Sequence, residues 1–82
     1  PLTEDNRRDL AKQARAEAES SRVAIRNIRR DAIADIRDLV KEKMAAEDDA
    51  RRGEERAQTL TDQNVGDVDK ALAAKEAELM EI

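Results

Sequence analysis

"SSRVAIRNIRRDAIADI", Ser20 to Ile36, carries two patterns at once. Ile25, Ile28, Ala32 and Ile36 recur at steps of three and four, the spacing that lines one face of an α-helix. Arg22, Arg26, Arg29 and Arg30 interleave with them, and no acid follows Ser20 until Asp31. The first pattern predicts a helix packed against a neighbour. The second is unexpected in a chain with 20 Asp+Glu against 16 Lys+Arg.

Outward from this stretch the helical pattern continues in both directions. Towards the N-terminus, Thr3 is a good N-cap, and Glu4 and Asp5 occupy the first turn, where acids favour the helix dipole. Strong helix formers run on to about Ala45 with no Gly or Pro. At 1.5 Å per residue such a helix is roughly 60 Å long, a length that suggests a coiled coil or an elongated bundle. Leu10, Ala14, Ile25, Ile28, Ala32, Ile36 and Leu39 share one stripe. Their steps of eleven (14, 25, 36 and 28, 39) drift little on a nearly straight helix. Asp9, Glu17, Asp31, Asp35, Asp38 and Glu42 gather on a second face, and Arg8, Arg15, Arg22, Arg26, Arg29 and Arg37 on a third.

A second helical segment follows, with Ala57, Leu60, Val65, Val68, Ala71, Leu72, Leu79 and Ile82 as its apolar stripe. Gly53 and Gly66 weaken it, each costing about 1 kcal/mol against Ala. In the joint "KEKMAAEDDARR", Lys41 and Lys43 precede Glu47, Asp48 and Asp49, the charge order of a helix C-terminus followed by an N-terminus. The reading is a helix over about 4–45, a turn at about 46–48 capped by Asp48 or Asp49, and a helix over about 49–81. Because the joint has no Gly, Pro or Ser, one continuous helix is the alternative. Net charge divides here too, +2 over residues 1–45 and −6 over residues 46–82.

Composition narrows the function. Eighty-two residues allow at most one domain, and 17 of the 32 hydrophobic residues are larger than Ala. There is no Phe, Tyr, Trp, Cys or His. Disulfides and Cys/His metal sites are excluded, Ser20 and Ser21 have no histidine base, and no Gly-rich phosphate loop exists. An enzyme is not expected, nor a cofactor. No run approaches the roughly 20 apolar residues of a membrane span. The missing cysteines and the absence of a signal-peptide h-region fit a cytoplasmic protein. The opening proline suggests a piece of something longer.

Arg22, Arg26 and Arg29 fall at i, i+4 and i+7 and share a face, with Arg30 beside them. Arginine offers phosphate a planar fork of donors and stays charged at any physiological pH. The expectation is contact with a nucleic-acid backbone. Without aromatics to stack bases, recognition would rest on RNA shape and phosphates. The competing reading is a structural coiled-coil or bundle segment whose arginines pair with acids of a partner helix.

"PLTEDNRRDLAKQARAEAESSRVAIRNIRRDA" resembles the second helix of the bacterial ribosome recycling factor family, most specifically at "RVAIRNIRRDA". "EDDARR" and "KEAELMEI" resemble the start and end of the family's third helix. The resemblance implies an all-α fold: two long antiparallel helices of an elongated three-helix bundle, with the first helix and the inserted β domain absent from this chain. Pro1 and Leu2 would end the hinge returning from that domain. It also implies binding to large-subunit ribosomal RNA and, with elongation factor G, the splitting of post-termination ribosomes without covalent catalysis by the factor. By resemblance Arg29 is the foremost RNA-binding candidate, then Arg26, then Arg22, Arg30 and Arg7. Ala46 departs from the family's polar turn cap, Gly66 from a glycine-free third helix, and Asn64 from a position that is often apolar. With the bundle's first helix missing, Ile25, Ile28, Ile36, Leu39, Leu60, Val68, Leu72 and Leu79 should be partly exposed. That helix, or a second copy of the chain, would cover them.

Overall fold

The computed structural model describes residues 3–81, so the expectations for Pro1, Leu2 and Ile82 lie outside the described residues. Two helices, α1 (Glu4–Lys41) and α2 (Glu47–Glu81), form a hairpin 61 × 15 × 10 Å in extent, and the described residues contain no strand. The long dimension agrees with 38 residues at about 1.5 Å each. The helices run antiparallel: Arg22, Arg29 and Arg37 of α1 meet Asp69, Gln58 and Glu54 of α2, whose numbers fall as those of α1 rise.

Thr3 caps α1 as its sequence position predicts. Its Oγ1 accepts from the Asn6 amide at 3.1 Å, and Glu4 and Asp5 fill the first turn. The other end departs from expectation. Helix α1 stops at Lys41, the turn is Glu42–Ala46, and α2 begins two residues earlier than predicted. Lys43 takes the left-handed conformation, φ 59°. Its amide donates to the Val40 carbonyl at 3.0 Å, and the Met44 amide donates to the Leu39 carbonyl at 2.8 Å. These two bonds make a Schellman motif, which satisfies carbonyls the helix end leaves without partners. Glycine usually holds the left-handed position, so a lysine there hides the turn from the sequence. The chain is therefore not one continuous helix. Ala46, whose carbonyl accepts from the Ala50 amide at 3.0 Å, holds the N-cap position of α2. Asp48 and Asp49 are not caps; they lie inside the first turn with Glu47, where three acids meet the positive end of the helix dipole.

Most of the buried residues are small. The buried residues are Ala18, Ala50, Thr61 and Leu79. Of these, only Leu79 belongs to the predicted stripes. Thr61 satisfies its hydroxyl by donating to the Ala57 carbonyl at 2.7 Å. At Gly53 the approach is close enough that a Cβ would stand 3.2 Å from Ile36 Cδ1. The larger aliphatic residues spread to the sides of this seam. Ile25, Ile36, Val68 and Leu72 are half-buried, whereas Ile28, Leu39 and Leu60 are exposed, Ile28 by 69%. Leu79 was expected to be partly uncovered and is only 4% exposed.

Candidate nucleic-acid interface

The geometry of α1 separates its two patterns. Ala18 and Ile36 face α2. Steps of about 100° then carry Leu10, Ser21, Ile28 and Leu39 to one side of the seam and Arg8, Arg15, Arg26 and Arg37 to the other. Ile28 and Arg26 diverge by roughly 160° around the helix. The apolar side forms an open groove with α2, lined by Ala14, Ser21, Val68, Ala71 and Leu72 and edged by Lys75. The opposite side is an arginine wall.

Acids of α2 reach part of that wall. Arg22 Nε donates to Asp69 Oδ1 at 2.9 Å, and its Nη1 donates to Glu19 Oε2 at 2.8 Å. Its side chain is only 19% exposed. The Asp69 hydrogen bond is the largest influence on this guanidinium and raises its pKa above an already high ordinary value; burial opposes it, and Glu19 adds to it. Arg37 Nε donates to Glu54 Oε1 at 2.9 Å. These two arginines tie the helices together, as the competing reading expected of an arginine face opposite acids. The sequence count of an acid-free stretch missed Asp69 because it lies 47 positions away.

The remaining candidates differ in their engagement. Arg26 is exposed and makes no hydrogen bond or ion pair with any described residue. Arg30 is exposed and donates to Asn27 Oδ1 at 3.1 Å, within its own helix. Arg29 is half-buried at the edge of the seam, where its Nη1 donates to Gln58 Oε1 at 3.2 Å. Arg7 is half-buried further along α1, in a cleft of about 330 Å³ that it lines with Arg8, Arg15, Glu76, Leu79 and Met80. The structure thus gathers Arg26, Arg29 and Arg30 within little more than one helical turn, ties Arg22 to α2, and sets Arg7 apart. Among the described residues no group of three or more His, Cys, Asp and Glu is arranged to hold a metal ion, and no helix is long and apolar enough to cross a membrane.

Comparison with known proteins bears on the whole length of this hairpin. The family model described as "Ribosome recycling factor" matches residues 1–80. The ribosome-recycling factor of Nitrosospira multiformis is 58% identical over 82 residues, and that of Alcanivorax borkumensis is 58% identical over the same length. The ribosome-recycling factor of Acinetobacter baumannii is 59% identical over 81 residues, 99% of this chain. The chain spans 44% of the length of each of these relatives. An identity of this size, unbroken across α1, the turn and α2, means that the chain belongs to the ribosome recycling factor family.

Proposed function

We propose that this chain is part of a translation factor that lays its arginine wall on RNA of the large ribosomal subunit. In the complete protein the factor would act with elongation factor G to split ribosomes after termination. The observation that carries the reading is the wall itself. Arg26 is exposed and unengaged by described residues, with Arg29 and Arg30 one turn away, on the side of α1 opposite the open apolar groove. Three forks so spaced suit successive phosphates, and without an aromatic residue the chain would read backbone and shape, not stacked bases. Arg22, held by two carboxylates and only 19% exposed, offers RNA little surface and serves mainly the hairpin. The work of this chain is binding and positioning, with covalent chemistry left to elongation factor G and its GTP. The open groove would receive the bundle's missing first helix, supplied by an N-terminal helix of the same factor, or else a second copy of this chain.

The test is co-sedimentation with bacterial large subunits at low and high salt. Removing one charged hydrogen-bond set costs about 1.5–3 kcal/mol, so Arg26→Ala and Arg29→Ala should each weaken binding roughly ten- to hundredfold without loss of helicity. Each phosphate contact removed should also lower the salt slope by about 0.7–0.9. Equal affinity of the wild type and the double variant would refute RNA binding by this wall. A second reading, a helical hairpin with a purely structural role, is favoured by the Arg22–Asp69 and Arg37–Glu54 pairs, in which arginines serve α2. It predicts that equality.

A further inference from the structure

Gln58 lies between two groups of opposite hydrogen-bonding character. On one side Arg29 Nη1 donates to its Oε1 at 3.2 Å. On the other its Nε2 donates to Asp62 Oδ1 at 2.9 Å, one helical turn along α2. A guanidinium is donor-only and an ionised carboxylate acceptor-only, so the amide between them has one orientation that satisfies both. The sense of the amide, ordinarily ambiguous, is thereby fixed by its neighbours. No comparable arrangement restrains Arg26, which has no partner among the described residues. From this geometry we infer that Gln58, oriented by Asp62, is a positioning residue for Arg29. The second helix, acidic overall, would then contribute to RNA binding without presenting a cation of its own.

The inference rests on the proposed RNA contact of Arg29 and adds the device that prepares it. A long arginine side chain loses rotamer freedom when it binds, and one already held near its bound direction loses less. A neutral amide suits this task better than a carboxylate would. It directs the fork through one bond and leaves the full positive charge, and the other guanidinium nitrogens, to the phosphate. Glutamate at the same place would compete with the phosphate for the cation.

The experiment is a double-mutant cycle on the full chain, read as affinity for bacterial large ribosomal subunits over a range of salt. Gln58→Ala should weaken binding about two- to tenfold, the cost of ordering one long side chain on association. It should leave the salt slope unchanged, because no cation is lost. In the Arg29→Ala background it should have no further effect. Gln58→Glu should weaken binding more than Gln58→Ala and lower the slope. Because Ala is the stronger helix former, a Gln58→Ala loss does not arise from weakened helicity, and circular dichroism checks this. Undiminished affinity of Gln58→Ala, or a Gln58→Ala loss that persists in full without Arg29, overturns the positioning role while RNA binding by Arg29 stands. Undiminished affinity of Arg29→Ala overturns both.

Discussion

Replacing Lys43 by glycine should stabilise the hairpin, although it removes a side chain. Lys43 sits at φ 59°, the only described non-glycine residue with positive φ. An L-residue there crowds its Cβ against the following carbonyl at a cost of about 1–2 kcal/mol. Glycine removes that crowding but gives the unfolded chain more freedom, worth about 0.4–1 kcal/mol in the opposite direction. The difference favours Lys43→Gly by about 0.5–1 kcal/mol. In a chain this short, 1 kcal/mol moves the melting midpoint by roughly 4–8 °C, so the expected rise is about 2–8 °C. Far-UV circular dichroism is the appropriate probe, since no aromatic residue is present to fluoresce. Ala45→Gly supplies the control: its φ is not positive, and glycine there should only destabilise. Equal destabilisation by Lys43→Gly and Ala45→Gly would refute the Schellman turn as the reason α1 ends where it does.

Three further substitutions test the turn and α2. Ala46→Ser places a hydroxyl at an N-cap position that now has none, and the hairpin should gain about 0.5–2 kcal/mol by urea denaturation. Gly66→Ala should gain about 1 kcal/mol in the same assay, because an added Cβ meets nothing within 4 Å. Gly53→Ala should leave the hairpin less stable than Gly66→Ala does, since its Cβ would stand 3.2 Å from Ile36 Cδ1 and the crowding offsets the helix-propensity gain.

What the sequence made legible follows how local each signal is. The Thr3 cap, the helical periods and the amphipathic arginine and isoleucine faces depend on neighbours within a few residues, and the structure has all of them. The turn was misplaced because its one diagnostic feature, a left-handed residue, is carried by Lys43 and not by glycine. The centre of the seam was also missed. Large aliphatic residues mark an apolar stripe, but burial falls also to Ala18, Ala50 and Thr61, and Gly53 packs close to Ile36; small and polar residues of this kind give periodicity little signal. Within the arginine face, Arg26 and Arg22 look alike to periodicity. Their difference comes from Asp69 on the other helix, so only the antiparallel register separates a cation tied across the seam from one with no partner among the described residues.

So few buried residues along the seam make the hairpin itself a variable. The arginine wall has its shape only while α1 and α2 are paired, since Gln58 and Asp69 belong to the opposite helix. A ligand of the wall would therefore bind with an apparent affinity scaled by the fraction of chains that hold the paired state. Whatever covers Ile28, Leu39 and Leu60 on the far side raises that fraction without touching the ligand. The two sides of the rod share no atoms, yet occupancy of one would be felt at the other through a folding equilibrium and not through any chain of contacts.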